Sequence, residues 1–371
     1  MAELRNRIRA RRREREWTQQ DLSERIGLTR QALSLIESGS TSPSTTIALK
    51  LAEAFECRVE DLFWTHTNPE FLEADLPQNT LASEGSQVVL GKVGTRWVAH
   101  PLSIEDRQFG LISPSGQVST RSGEKAVVEP WLNPKDLQRQ ILIAGCAPPI
   151  AELERLTARY DRRARWLPRS SIAALSMLAR GEVHIAGLHV ADETGEYNKQ
   201  LVAQTFAPSA VEMTTLFVWR MGLATAAQNP VGVRTLEDLL RPEVRFIGRA
   251  PDSGSYVTLQ REMARQGLDV RNVSLVATAA NHLESGLSVL WNRADVCLTV
   301  ESVAHDLGLN FIPIAQERFD LVYPQALRAS GDLDVILEAA DSHGFHQYLE
   351  SLAGYDATQT GARVALDDPE S

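Results

Sequence analysis

Residues 18–39, TQQDLSERIGLTRQALSLIESG, decide how this chain is to be read. They form two short helical patterns around a tight turn. Thr18 is suited to cap the first helix, because its hydroxyl accepts from an orphan N–H of the opening turn. Leu22 and Ile26 stand four apart and share one helix face. Gly27 ends the helix where the backbone needs positive φ. Thr29 caps the second helix, and Leu33 and Ile36 form its buried stripe. Arg30, Gln31 and Ser34 then face the other way. Arg and Gln pair in bidentate fashion with guanine and adenine edges in the major groove, where a helix-turn-helix places its second helix. Ahead of this stretch, Arg5, Arg7, Arg9, Arg11, Arg12, Arg13 and Arg15 crowd one segment, offset by Glu3, Glu14 and Glu16. Such a run can supply counterion-releasing phosphate contacts, with Arg12 at its centre.

The TQxxL opening, the turn glycine, the ending Ser34–Ile36–Glu37–Gly39 and the following Pro43 resemble the repressor-type helix-turn-helix of phage-repressor/Cro (XRE-like) regulators over residues 4–64. The resemblance implies an all-α head over 1–64, with STTIALKLAEAFE (44–56) as its fourth helix and VEDLFW (59–64) as its last. By position it places Gln19 on a phosphate and Arg30, Gln31 and Ser34 on bases of an operator duplex. Such heads read paired half-sites, so a homodimer or higher homo-oligomer is expected.

The 371 residues exceed one ordinary domain. Net charge is −10 with pI about 5.4, so the basic patch is local and the remainder acidic. Cys57, Cys146 and Cys297 are few and widely spaced. They predict neither a disulfide framework nor a zinc cluster and fit a reducing cytoplasm. No signal peptide or membrane span is legible.

Residues 65–80 contain two prolines and several acids and read as a linker. Residues 81–138 read as a β-rich connecting segment with strands at QVVLGKV, RWVAHPL, FGLIS and KAVVEPW. From 139 to 363 strands and helices alternate, which implies mainly parallel sheets flanked by helices. The helix at PPIAELERLTARY sets Ile150, Leu153, Leu156 and Tyr160 on one face. FIPIAQ and RFDLVYP read as two strands. The long β stretch 211–228 between two βα series implies two lobes joined by crossing strands, and 364–371 is a tail. The ordered motifs GCAPP, SSIAAL, ARGEVHIAGLHVAD–TGEYN, QNPVGVRTLEDL, DSGS, RADV, LNFIPIAQERFDLV and GYDATQTG resemble periplasmic-binding-protein-like (type 2) substrate-binding domains fused to helix-turn-helix heads, a family related to molybdate-binding proteins. That resemblance implies an α/β two-lobed sensor that closes on a small ligand, such as a molybdate- or tungstate-like oxyanion or a molybdenum-cofactor-related compound, with no resident cofactor.

An oxyanion site without metal uses helix N-termini and hydroxyl donors. Ser170–Ser171 and Ser253–Gly254–Ser255 each follow a strand and open a helix. Gly254 would let a ligand approach the backbone, and Arg249 could add charge-assisted bonds. The turn Gly145–Cys146–Ala147 and residues Thr299 to Glu301 are further candidates. His189, Asp192, Tyr197 and Asn198 cluster beyond a strand end. His189 and Asp192 share a spacing that a metal could use, but two ligands with no matching cluster elsewhere do not make a metal site. His184 and His282 read as packed or capping residues, while Trp166, Trp219 and Trp291 fit core or pocket wall. The sequence departs from the family at Gly248-Arg249-Ala250-Pro251-Asp252 (Asn-Arg-Glu-Pro-Gly in the family), at Tyr256 in place of a basic residue, at Ala147 in place of Asp, and at Asn292 in place of glycine. Fewer cations and an added Asp252 would weaken a dianion site.

Three functions compete. The first is a one-component regulator that senses a small ligand. The second is a constitutive repressor whose rear domain serves assembly or partner binding. The third is an enzyme, for which no Walker loop, HExxH or GxSxG is present.

Overall fold

The computed structural model describes residues 3–66, 70–78, 80–104, 106, 112–192, 195–251 and 253–366. The chain divides into two compact units, 1–71 and 72–371.

The first unit holds α1 (Ile8–Glu14), α2 (Gln19–Ile26), α3 (Arg30–Glu37), α4 (Thr45–Phe55) and α5 (Val59–Leu62). The caps lie where the sequence put them. Thr18 Oγ1 accepts from the Asp21 N–H at 3.1 Å, and Asp21 accepts in return from the Thr18 N–H at 2.7 Å. Gly27 turns the chain at φ 70°. Thr29 caps α3 through the Ala32 N–H. Ile8, Leu22, Ile26, Leu33, Ile36, Leu51, Phe55 and Leu62 form the core.

The head is not wholly helical. The last helix stops at Leu62, and Phe63–His66 (β2) pairs antiparallel with Glu3–Asn6 (β1). Phe63, Trp64 and Thr65 favour a strand, and an edge from the N-terminus is there to receive them.

In the second unit Leu72–Asp75 (β3), inside the expected linker, is a strand. With β4 (Gln87–Val93), β5 (Arg96–Pro101), β6 (Gly116–Ser122) and β7 (Lys125–Pro130) it closes a five-stranded barrel. Closure satisfies the edges of short strands that could not stand alone. The polar run GQVSTRS hid β6 from a hydrophobicity reading. Phe109, Gly110 and Leu111 of the FGLIS strand lie outside the described residues.

The α/β portion is one twisted ten-stranded sheet with two lobes. β8 (Gln140–Ala144), β9 (Arg163–Leu167) and β10 (Ile185–Leu188) are parallel neighbours in the first lobe. β12 (Phe246–Arg249), β13 (Leu275–Ala279) and β14 (Val296–Val300) are parallel neighbours in the second. Two 15-residue strands, β11 (Val211–Thr225) and β15 (Asn310–Pro324), run antiparallel from one lobe to the other. The two short strands expected at 311–324 are therefore one. Helices α6 (Pro149–Thr157) and α7 (Ser171–Ala179) belong to the first lobe, and α8 (Gly254–Arg265), α9 (His282–Leu290) and α10 (Glu301–Asp306) to the second. Tyr160 falls beyond the end of α6 and is 59% exposed, so it does not extend the Ile150–Leu153 face.

Two neutral histidines fasten the barrel to the first lobe. His184 Nδ1 accepts from the Leu142 N–H at 2.9 Å and Nε2 donates to the Lys92 carbonyl at 3.1 Å. His100 Nε2 donates to the Glu182 carbonyl at 2.9 Å. Burial pushes His100 down to about 3 and His184 down to about 4.

Candidate DNA-reading face and interlobe seam

On α3, Arg30, Gln31 and Ser34 are exposed on the face opposite the buried Leu33 and Ile36. The Thr29 cap fixes where that face begins. Exposed Arg9 and Arg13 lie nearby in the sequence on α1.

Arg12 is not part of that surface. It is buried, with Nε 2.7 Å and Nη2 3.1 Å from the two carboxylate oxygens of Glu37, and Nη1 donates to the Trp17 carbonyl. Burial opposes the Glu37 charge, but bonds from Arg12 and Gln19 outweigh it and hold the carboxyl below its usual range. Arg12 therefore ties α1 to α3 instead of meeting phosphate. Gln19, placed on a phosphate by position, also donates to Glu37, at 3.0 Å. Arg15 is likewise engaged, donating to the Ala54 and Phe55 carbonyls at the end of α4.

In the second unit Cys146, Ser171, His189 and Gly254, among the expected ligand residues, come together where the lobes meet, and there they contact one another. His189, just past β10, is buried between the lobes. Its Nδ1 lies 2.8 Å from Glu317 Oε2, and its Nε2 lies 3.1 Å from Cys146 Sγ. Its backbone N–H donates to Ser171 Oγ. Glu317, in the middle of β15 and fully buried, also accepts from Trp219 Nε1 at 2.9 Å and from the Thr258 hydroxyl of α8. Burial penalises the Glu317 charge, but these partners reverse that and lower its pKa. Burial also opposes charge on His189. The Cys146 sulfur and the Glu317 carboxylate together overcome it and push His189 up to about 10.

Gly254 opens α8 directly against His189. A Cβ there would stand 2.6 Å from the ring Cε1 and 2.9 Å from the backbone oxygen. What this glycine admits is the opposing lobe's histidine, where the sequence suggested a ligand. Ser253 caps α8 through the Tyr256 N–H, and Ser170 caps α7 through the Ala173 N–H. Ser255 is buried at the start of α8. Arg249 is buried and donates to the Ala280 carbonyl at 3.0 Å. Thr299 donates to the His282 carbonyl at 3.1 Å. Ala147 is buried, and Pro148 and Pro149 after it remove two N–H donors from the start of α6.

Four candidates serve the frame. Asp192 accepts from the N–H groups of Gly195 and Glu196 within its own loop. Asn198 sits at φ 66° and ties Leu188, Val190 and Asp320 together. Tyr197 donates to the Gln316 carbonyl and lies under Arg261. Glu301 pairs with Arg220 at 2.8 Å beside Gly354. Asn292 adopts φ 55°, the left-handed form expected at the family's glycine position, and Asp252 lies outside the described residues. Trp166 is core, and Trp291 is 57% exposed.

His282 is packed, as the sequence suggested, but its ring is left without partners. It is buried edge-on to Trp219 at 5.4 Å, and neither ring nitrogen has a hydrogen-bond partner. Burial, with Arg249 and His189 nearby, keeps it well below its usual pKa and therefore neutral.

Sequence reasoning missed Glu317 and Thr258. Read as one continuous strand, LNFIPIAQERFDLV would have exposed an acid at its centre, and a buried acid must have partners.

Among the described residues, a cavity of about 350 Å³ lies beside Thr214, Tyr323, Arg328 and Asp341, and one of about 140 Å³ beside Phe246, Tyr256 and Leu275. No helix among them is long and apolar enough to cross a membrane.

The profile of the PBP superfamily domain matches residues 153–340, just over half of the chain, and a helix-turn-helix profile matches residues 8–62. YvgK of Bacillus subtilis (strain 168) is 26% identical over 202 residues, which cover 54% of this chain and 64% of YvgK, so the chain spans less than two thirds of that relative. The HTH-type transcriptional regulator YgzD of the same strain is 38% identical over 61 residues, 16% of this chain and 92% of YgzD. A phosphate ABC transporter substrate-binding protein from Clostridium perfringens, solved with bound phosphate, superposes with a TM-score of 0.45 at 14% identity, covering 57% of this chain and 96% of its own. The chain belongs to the PBP superfamily and carries, at its N-terminal end, a helix-turn-helix domain of the transcriptional-regulator family.

Proposed function

We propose that this protein is a cytoplasmic one-component transcription regulator that reads operator DNA with α3 and answers to a small ligand by opening and closing its interlobe seam. The observation that carries this reading is the exposed Arg30–Gln31–Ser34 face on a capped, core-anchored helix. The seam supports the sensing half. Two long strands cross between the lobes, and polar groups from both lobes converge where they cross. A small anion is the ligand class that Arg249, Ser255 and His282 favour. The Glu317 carboxylate does not repel it, because His189 offsets its charge. Molybdate and tungstate are the probes to try first. A ligand can shift the lobes only by its preference for one state.

The second reading, a constitutive DNA-binding protein whose rear domain serves assembly, has its own observation. In this structure His189 meets Gly254, and Glu317 meets Thr258, where a ligand would sit. β13 is an edge strand with Leu275 and Val276 half exposed, beside exposed Leu283, Leu290 and Trp291 of the α9 region. Such an edge suits pairing with a second copy.

Thermal unfolding of the full chain with molybdate, tungstate, sulfate, phosphate and pterin-like compounds separates the two. Ligand at 100 times its Kd stabilises the native state by about 2.7 kcal/mol. A rise of several degrees with one member of the panel supports the sensor, and a flat response across it supports the constitutive reading.

A further inference from the structure

Cys146, His189 and Glu317 form a relay whose thiol the regulator reading does not use. Sulfur, imidazole and carboxylate are in line, with Sγ 3.1 Å from Nε2 and Nδ1 2.8 Å from Oε2. The burial is graded: Glu317 is fully enclosed and His189 nearly so, while Cys146 keeps partial exposure. A partly exposed nucleophile, a proton carrier behind it and a carboxylate fixing that carrier are the parts of an activated thiol. A second group in the cluster has unspent capacity. His282, buried and with both ring nitrogens unpartnered, shares the Trp219 ring with His189, at 5.4 and 5.2 Å respectively.

The start of α6 narrows the chemistry open to this thiol. Acyl transfer needs backbone N–H groups beside the nucleophile to hold an oxyanion. Pro148 and Pro149 remove two of them. In addition to an activated carbon–carbon double bond the charge develops on an enolate oxygen farther from the sulfur, so the N–H groups lost at the start of α6 matter less.

We propose that Cys146 is a covalent capture site for small α,β-unsaturated carbonyl compounds, with His189 as the proton carrier. Sγ bonds to the β-carbon as the C=C π pair shifts to form the enolate. The proton that the pair shares sits on Nε2 of the charged His189 and is delivered to the α-carbon, leaving the imidazole neutral. The net change is addition of S–H across the double bond, with no oxidant or co-reactant. Glu317 acts as a positioning residue through His189.

Thiol capture involves neither DNA nor a reversible ligand, so it fails or stands separately from the regulator reading. The full chain is treated with N-ethylmaleimide near pH 7, and labelling of each cysteine is followed by peptide mass spectrometry. Cys297, wholly buried on β14, and Cys57 are internal references. Burial pushes Cys297 up to about 12 and, with Asp61, raises Cys57. Cys146 is expected to label at least tenfold faster than either. Glu317→Gln and His189→Asn are expected to slow it severalfold and to change its pH profile, with Cys297 still protected as the sign of an intact fold. Labelling of Cys146 no faster than Cys57 in the unaltered protein overturns the proposal. So does an unchanged rate and pH profile in a variant that keeps Cys297 protected. Should both variants unfold, the comparison within the unaltered protein still decides.

Discussion

The α3 face and the interlobe seam use similar polar side chains in opposite ways. On α3 the apolar residues face inward, and Arg30, Gln31 and Ser34 are left in water with donors and acceptors available to a partner. In the seam, His189, Glu317, Trp219 and Thr258 are buried and satisfy one another. The first arrangement is the kind that the proposed reading of DNA requires. The second is a latch between two lobes, and it must be opened or bypassed before anything else binds there. Burial and partners, more than residue type, separate a reading surface from a lock.

The largest expected effect tests where that boundary runs in the head. Arg12 belongs to the locked class, so Arg12→Ala leaves the buried Glu37 carboxylate without its main partner and costs about 3 kcal/mol of head stability. Urea unfolding measures this. If Arg12 were instead a phosphate contact, the substitution would spare stability and lower the salt dependence of DNA binding.

Next in size is acid. His100 and His184 have folded-state pKa values of about 3 and about 4, below the ordinary value near 6.5. Above about pH 6.5 both are neutral in either state, and their contribution to stability is fully present. As pH falls below that, the unfolded chain takes up protons that the fold refuses, and stability drops until the folded values are passed. At pH 5 the loss is about 2 kcal/mol per histidine. For His184 the cause is visible, because protonating Nδ1 removes the acceptor for the Leu142 N–H. His189 has the opposite sign: its raised pKa gives stability that is fully present below about pH 6.5 and is lost as pH climbs toward and past about 10. Unfolding curves at pH 7.5 and pH 5 for the unaltered protein and for His184→Gln should show the variant less sensitive to acid.

Much of this was legible in the sequence. Caps, turn glycines and the period of apolar residues are local, so α2 and α3 could be drawn from Thr18, Gly27 and Thr29 alone. The two-lobed layout followed from the order of βα units. Long-range pairing was not legible. Nothing within residues 63–66 shows that Glu3–Asn6 waits to pair with them, and nothing within LEAD at 72–75 shows that it completes a barrel. At the seam, His189 and Cys146 were named as candidates, but their partner Glu317 lies 128 residues from His189. Only the fold brings that acid to them. Ser170 and Ser253 carry the same residue signal whether they cap a helix or bind an anion, and both cap.

The most direct test of the central claim is selection of duplexes from a random-sequence pool by the full chain and by Arg30→Ala and Gln31→Ala variants. The regulator reading predicts a defined motif with half-sites about one helical turn, or about 10 base pairs, apart. It also predicts that each variant loses preference at particular bases, at a cost of about 1–3 kcal/mol, while weak non-specific binding is retained. The same motif at the same affinity from all three proteins would contradict the account.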